Sequence, residues 1–215
     1  MEDKKRDFDK AAPSWDELPR RVRLVADIAR TISEEIDLNG GMDVLDFGCG
    51  TGLLTFQLQP SVHFIRGVDS SRGMLDVFGA KIKERDLKNI EAFHLDPDEG
   101  DVIEGKYHLV VSSMAFHHIQ NIGPLLDRLH EIILPGGHIC IADLDSDDGQ
   151  FHGDSDSVFH NGFDRARLRR TLAAAGFEEI RDRTAATVTK STPDGTPRDF
   201  SVFLMIGRKR LPAEG

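Results

Sequence analysis

The stretch of sequence that decides the fold is Val44-Leu45-Asp46-Phe47-Gly48-Cys49-Gly50-Thr51-Gly52. It begins as a short buried strand, passes through three alternate glycines and continues into a helical pattern. In an open α/β sheet, ligands bind beyond the carboxyl ends of the strands, where glycine lets the backbone approach a ligand that a Cβ would obstruct. The stretch therefore predicts a ligand-binding turn; the alternative is a tight strand-to-helix turn without a ligand.

Strand and helix patterns alternate on either side of this turn, from about residue 20 to residue 176. The predicted strands are residues 42–47, 62–69, 90–95, 107–112 and 138–144, followed by a longer pair at 180–190 and 200–209. Strands separated by helices pair in parallel with right-handed crossovers. We therefore expect an α/β fold: a doubly wound, seven-stranded, mostly parallel, Rossmann-like sheet with a C-terminal antiparallel hairpin.

One domain is expected for a chain of 215 residues. We assign residues 1–215 to it, with residues 1–19 as an N-terminal cap segment. Residues 145–161 show no strand or helix pattern, and an irregular stretch of this length inside a compact domain is often a lid. Both segments contain aromatic residues, so we expect them to cover the substrate pocket together.

The composition excludes several classes of partner. Lysine and arginine number 27 against 37 aspartates and glutamates, and the resulting net charge of −10 disfavours nucleic acid and anionic membranes. No apolar run approaches the roughly 20 residues of a membrane span, and residues 1–10 lack the apolar core of a signal peptide. Two cysteines, Cys49 and Cys140, are too few for a disulfide framework. We expect a cytoplasmic protein.

Acidic residues follow the second and third predicted strands. Asp69 is placed to accept hydrogen bonds from the ribose hydroxyls of an adenosine; the alternative is a cap for the helix that starts near Ser71. Asp96, after Leu95, is placed to bind an adenine amino group; the alternative is a solvated acid in an acidic run. The glycine spacing departs from the dinucleotide-binding pattern because position 53 is leucine, which disfavours NAD.

Taken together, these residues resemble the class I S-adenosylmethionine-dependent methyltransferases over nearly the whole chain. The likeness includes residues 112–118, the turn Leu134-Pro135-Gly136-Gly137-His138 and the terminal hairpin. The opening Phe8-Asp9-Lys10-Ala11-Ala12, with Trp15-Asp16 after it, is similar to the small-molecule branch that includes the ubiquinone and menaquinone C-methyltransferases. The resemblance implies an S-adenosylmethionine-dependent methyltransferase that acts on a small molecule by in-line transfer. The alternative is a non-catalytic S-adenosylmethionine-binding sensor or scaffold.

The resemblance also implies roles for single residues. Asp46 and the glycine loop would hold the methionine part of the cofactor, Asp69 the ribose, and Leu95 with Asp96 the adenine, while Ser112 and Ser113 would lie beneath the sulfonium. The full set of expected cofactor-binding residues is Asp46, Gly48, Cys49, Gly50, Thr51, Gly52, Asp69, Ser70, Met74, Leu95, Asp96, Ser112, Ser113 and His117.

Three histidines are the expected catalytic residues: His117, His118 and His160. Imidazole titrates near neutrality and can take a proton from the methyl acceptor. His117 and His118 follow the fourth strand, where the acceptor would approach; alternatively, one packs under the cofactor and the other is exposed. His160 lies in the irregular stretch and could close over the acceptor; the alternative is a turn residue.

No metal site is expected, because the histidines at 117, 118, 152 and 160 lack helical i, i+4 spacing and a cysteine pair. Asp143 and Asp145 follow the fifth strand but have no firm third ligand. Six aspartates near this strand end are expected to disfavour an anionic acceptor and to tolerate a neutral or cationic one; they are residues 143, 145, 147, 148, 154 and 156.

Overall fold

The computed structural model describes residues 8–96, 100–152, 158–192 and 195–212. The strands within these ranges are β1 (Asp43–Phe47), β2 (Phe64–Asp69), β3 (Ile90–His94), β4 (Tyr107–Ser113), β5 (Ile133–Leu144), β6 (Phe177–Ser191) and β7 (Pro197–Lys209). The α-helices are α1 (Phe8–Ala11), α2 (Pro19–Glu35), α3 (Leu53–Leu58), α4 (Arg72–Glu84), α5 (Ile122–Ile132) and α6 (Arg165–Ala174). Short 3-10 turns cover Ala12–Glu17, Gln59–Ser61 and Phe116–His118.

The strands form one sheet in the order β3-β2-β1-β4-β5-β7-β6. Strands β1 to β5 are parallel, and β7 runs antiparallel to both of its neighbours, β5 and β6. This confirms the predicted α/β sheet with a C-terminal antiparallel hairpin. The chain runs outward from β1 to β3 and then returns to β4, so the winding reverses between β1 and β4. A crevice is expected at the carboxyl ends of these two strands.

The central strands β1 and β4 are buried on both faces, which explains why they are mostly apolar runs. Val44 belongs to the apolar cluster that contains Ile28 and Ile32 of α2. Its neighbour Leu45 belongs to the cluster on the other face, with Leu126 and Leu129 of α5. Successive strand side chains point to opposite faces, so both clusters hold β1 and fix the position of the turn that follows it.

Strand β5 is longer than predicted, because it starts at Ile133 and includes the turn signal Pro135-Gly136-Gly137. The register with β4 shifts opposite this signal, between Tyr107 and Leu109. Gly136 has a φ of +80°, and a Cβ on Gly137 would lie 2.6 Å from the carbonyl oxygen of His108. The glycines therefore make an irregularity inside the strand and do not delay its start.

The N-terminal segment, Phe8–Glu17, lies against α4. The Asp9 carboxylate accepts hydrogen bonds from the Ser71 hydroxyl (2.5 Å) and from the backbone N–H of Gly73 (2.8 Å). A Cβ on Gly73 would lie only 2.7 Å from the Asp9 Cα, so glycine permits this close approach. Among the described residues, no helix combines the length and apolar character needed to cross a membrane.

Candidate functional site

A cleft with a volume of about 210 Å³ lies at the carboxyl ends of β1 and β4. The first group of lining residues, here called the glycine-loop part, is Asp46, Phe47, Gly48, Cys49, Gly50, Thr51, Leu53, Leu54, Val68, Asp69, Ser70, Met74 and Leu95. The second group, the histidine part, is Phe8, Trp15, Arg21, Leu24, Val25, Ser113, Met114, Ala115, His118 and Ile119. The two groups share the crevice at which the sheet reverses its winding.

The glycine loop needs its glycines for two different reasons. Gly48 has a φ of +70°, and a Cβ there would lie 2.5 Å from the Cβ of Ala115. Gly50 has a φ of +55°, but a Cβ there would meet nothing within 4 Å. The first glycine therefore lets β1 approach the segment after β4. The second provides a left-handed turn beside open space, where a ligand can contact the backbone.

Two carboxylates lie in the glycine-loop part: Asp46 is buried and Asp69 is partly buried. Asp69 accepts backbone N–H bonds from Gly50 (2.8 Å) and Ser71 (2.9 Å), and burial raises its pKa. Asp46 accepts a hydrogen bond from the Thr55 hydroxyl (2.6 Å). Burial, with a smaller contribution from the charge of Asp69, raises the pKa of Asp46 to about 7. A cationic ligand would offset the cost of ionising this pair.

An arginine of α2 lies in the histidine part of the cleft and was not predicted from the sequence. The Arg21 guanidinium lies 3.7 Å from the centre of the Trp15 ring and donates a hydrogen bond to the Trp15 carbonyl (3.0 Å). The segment is held further by Asp16, which accepts a hydrogen bond from Thr51 (2.6 Å) and pairs with Lys81. No sequence signal identifies Arg21, because its place depends on how the N-terminal segment folds back onto α2.

A buried histidine–aspartate pair supports the segment that follows β4. His117 Nδ1 and Asp143 Oδ1 lie 2.7 Å apart, with both side chains almost fully buried. Asp143 also accepts the backbone N–H groups of His117 (3.2 Å) and Leu144 (2.7 Å). Although burial alone would raise the pKa of Asp143, His117 lowers it overall. Next to this pair, His118 lines the cleft and contacts Phe8 at 5.2 Å between ring centres.

The structure brings most of the predicted cofactor-binding residues to the cleft: Asp46, Gly48, Cys49, Gly50, Thr51, Asp69, Ser70, Met74, Leu95 and Ser113. Of the three predicted catalytic histidines, His118 lines it. Ser71, with its hydroxyl bonded to the N–H of Met74 (3.2 Å), is the N-cap of α4. Ser71, and not Asp69, therefore caps this helix, and Asp69 lines the cleft.

Five predicted site residues are not among the residues that line the cleft. A Cβ on Gly52 would meet the Phe78 ring at 2.2 Å, so this glycine serves packing. Ser112 is buried and donates to the carbonyl of Phe47 (2.8 Å), which ties β4 to β1. The His117 ring is hydrogen-bonded to Asp143. His160 Nε2 lies 2.9 Å from the Ile119 carbonyl. Asp96 lies beyond Leu95, where its backbone N–H donates to Asp101 (2.9 Å).

The aspartates after β5 do not give the cleft a negative wall, contrary to expectation. Asp143 pairs with His117, Asp145 with Arg165 (2.6 Å) and Asp148 with Arg198 (2.7 Å). Asp147 accepts the N–H of Gly149 (2.6 Å). None of these four lines the cleft, and residues 154 and 156 lie outside the described part of the chain. The four described aspartates therefore add no negative charge to the lining of the cleft.

Of the two segments expected to cover the pocket, only the N-terminal one contributes described residues to the lining of the cleft. Phe8 and Trp15 line the cleft, whereas the described residues of the irregular stretch, 145–152 and 158–161, do not. Within the ranges that the structure describes, no group of three or more histidine, cysteine, aspartate or glutamate side chains could hold a metal ion.

A methyltransferase domain family matches residues 17–181, which is more than half of the chain. The chain belongs to this methyltransferase domain family. An uncharacterized methyltransferase of Schizosaccharomyces pombe is 31% identical over 148 residues, 66% of this chain and 51% of that protein. The demethylmenaquinone methyltransferase of Listeria welshimeri is 25% identical over 142 residues, 63% of this chain and 60% of that protein. This methyltransferase chain thus spans little more than half the length of these relatives.

Solved structures share the fold. The YcgJ protein of Bacillus subtilis has a TM-score of 0.73 at 14% identity, and the likeness covers 87% of this chain and 99% of that one. Phosphoethanolamine N-methyltransferase 2 of Haemonchus contortus, solved with S-adenosylmethionine, has a TM-score of 0.70 at 16% identity. The likeness covers 85% of this chain and 52% of that one. The family match confirms the predicted class, a methyltransferase, and the solved structures confirm the fold.

Proposed function

We propose that this methyltransferase transfers a methyl group to a small, mostly apolar acceptor bound against the histidine part of the cleft. The observation that carries the proposal is the contrast between the two parts. The carboxylates of Asp46 and Asp69 and the open space beside Gly50 suit a polar, cationic cofactor in the glycine-loop part. The histidine part offers the apolar side chains Phe8, Trp15, Leu24, Val25, Met114 and Ile119.

The charges of the cleft complement S-adenosylmethionine. The cofactor has a sulfonium, an ammonium and a carboxylate, so its net charge is positive. Among the lining residues, Asp46 and Asp69 are acidic and Arg21 is basic, which leaves one excess negative charge when both acids are ionised. We assign the carboxylate of the cofactor to Arg21, because a guanidinium binds carboxylates in a bidentate geometry. The Trp15 ring fixes the plane of that guanidinium.

Asp69 is assigned to the ribose. Its two backbone bonds, from Gly50 and Ser71, use one site on each carboxylate oxygen. A carboxylate has about four lone-pair sites, so the same oxygens can also accept from two ribose hydroxyls. Leu95 and Val68 provide apolar surface for the adenine.

His118 is assigned as the general base for an acceptor that loses a proton on methylation. S-Adenosylmethionine supplies a methyl group on a positively charged sulfur, so this chain has mainly to orient the acceptor and receive its proton. His117 is a positioning residue: its pair with Asp143 fixes the backbone that precedes His118. A relative named for demethylmenaquinone, an apolar quinone, supports an apolar acceptor.

Calorimetric titration with S-adenosylmethionine tests this assignment. Asp69→Ala should weaken binding at least tenfold, because charge-assisted hydrogen bonds contribute roughly 1.5–3 kcal/mol each. Arg21→Met should do the same, whereas Asp27→Ala, which removes an exposed acid of the same helix α2, should leave the affinity unchanged. A wild-type protein that binds no S-adenosylmethionine would contradict the proposal.

Turnover is tested separately, by mass spectrometry of a panel of phenols, quinols and amines incubated with protein and S-adenosylmethionine. We expect a methylated product from at least one apolar member of the panel, and a loss of that product in His118→Phe. Tight cofactor binding without any product would favour the sensor or scaffold alternative.

A further inference from the structure

Met114 has a backbone conformation that methionine rarely adopts. Its φ is +57°, in the left-handed region where the Cβ of an L residue comes too close to a carbonyl oxygen. Two other non-glycine residues in the described ranges, Asp86 and Glu179, have a positive φ. Asp86 directly follows the C-cap of α4, and Glu179 lies where β6 shifts its register with β7, both usual places for left-handed residues. Of the three, Met114 alone lines the cleft.

Contacts on both sides impose this conformation. The Met114 N–H donates to the carbonyl of Ala142 (2.8 Å), which continues the pairing of β4 with β5 one residue beyond Ser113. The next residue, Ala115, lies so close to Gly48 that a Cβ added there would be 2.5 Å from the Ala115 Cβ. Met114 has to turn the chain between these two fixed points, so the tertiary structure holds its strain.

Met114 also lies beside the junction of the two parts of the cleft. Gly48 belongs to the glycine-loop part and Ala115 to the histidine part, so their contact joins the two. Because the methyl group passes directly from the cofactor to the acceptor, the acceptor has to reach this junction. Met114 is half-buried and lines the histidine part next to Ala115, so it belongs to the wall that an acceptor contacts there.

The turn itself does not account for a methionine at this position. Glycine would make the same turn without strain, because it has no Cβ. The Met114 side chain packs in part against the apolar cluster that contains Leu24 and Ile28 of α2. A methionine side chain is unbranched and flexible, fills irregular apolar space and has only a weak hydrogen-bond acceptor. What it adds to the histidine part is therefore apolar bulk.

We propose that Met114 determines acceptor specificity: its side chain limits the size of the apolar acceptor that fits in the histidine part of the cleft. This inference rests on the proposed function, since it places the acceptor in that part. A shorter side chain at position 114 enlarges the space for the acceptor and leaves the glycine-loop part, and with it cofactor binding, unchanged.

Thermal unfolding of matched variants tests the strain. Met114→Gly and Met114→Ala both remove the thioether and differ by one Cβ, so the glycine variant should have the higher midpoint. Met42 provides the control, because it is a half-buried methionine against the same cluster, lies outside the cleft lining and has no positive φ. There the order should reverse, since glycine loses more conformational entropy on folding. The same order in both pairs would show that the backbone at 114 is not strained, and the inference would be wrong.

Ligand binding tests the size limit. With S-adenosylhomocysteine bound, the affinity for 1-hydroxypyrene divided by that for the smaller 1-naphthol should be at least about fivefold higher in Met114→Ala than in the wild type. Met42→Ala should keep the wild-type ratio, and all three proteins should bind S-adenosylhomocysteine equally.

An unchanged or lower ratio in Met114→Ala, or no binding of either probe to any of the three proteins, overturns the inference. Loss of S-adenosylhomocysteine binding in Met114→Ala alone would place Met114 in the cofactor site and overturn it as well. Failure of the wild type to bind S-adenosylhomocysteine would contradict the proposed function instead.

Discussion

The two parts of the cleft are built in different ways. The glycine-loop part comes from the ends of adjacent strands, and its main contact joins Gly50 after β1 to Asp69 at the end of β2. The histidine part is assembled from distant regions of the chain, which bring Phe8 to His118 and His117 to Asp143. Backbone geometry determines the first part, whereas side-chain contacts across the fold determine the second. We infer that this fold can keep its cofactor site while the opposite part changes with the acceptor.

The largest effect is expected from removing the buried carboxylate of Asp143, which supports the histidine part. Asp143→Ala leaves His117 buried without its partner, which should lower the free energy of unfolding by about 3–5 kcal/mol. Urea denaturation measures this loss. Asp143→Asn keeps the size of the side chain and one acceptor oxygen, so its free energy of unfolding should fall less. A loss below about 1 kcal/mol in Asp143→Ala would mean that the pair does not hold the histidine part together.

A pair of glycine variants sharpens the description of the glycine-loop part. Gly48→Ala brings a Cβ to 2.5 Å from Ala115 and should cost about 1–3 kcal/mol from overpacking in addition to backbone strain. Gly50→Ala meets open space, so only the left-handed strain of about 1–2 kcal/mol applies. The midpoint of thermal unfolding should therefore be lower for Gly48→Ala than for Gly50→Ala. Equal losses would show that the approach to Ala115 is not tight.

The smallest effect is the pH dependence of cofactor binding. The pKa of Asp46 is raised to about 7, so below that pH its carboxyl is mostly neutral and attracts a cationic ligand weakly. The affinity for S-adenosylmethionine should rise between about pH 6 and pH 8, by at most about tenfold per pH unit. S-Adenosylhomocysteine carries no charge at sulfur, so its affinity should rise less over the same pH range. In Asp46→Asn, the affinity for both ligands should depend little on pH. If the affinity of Asp46→Asn depended on pH as steeply as that of the wild type, a group other than Asp46 would be responsible for the pH dependence.

Local signals predicted the glycine-loop part well. The strand before Gly48, the acid at 69 and the leucine at 95 each follow a buried apolar run, and parallel strands bring such ends to one sheet edge. Gly52 and Ser112 do not line the cleft, because the sequence does not say which way a residue near a strand end faces. Tight packing against Phe78 and a bond to Phe47 direct these two away from the cleft.

The sequence by itself determined the order of strands and helices, the place of the turn after β1 and the family. These follow from periodicity and from residues close together in the chain. Only the tertiary structure decided that Arg21 enters the cleft, that His118 rather than His117 lines it, and that the loop aspartates face their own partners. Each of these depends on contacts between residues far apart in sequence, and a side chain's partner at such a distance is set by how the whole chain packs.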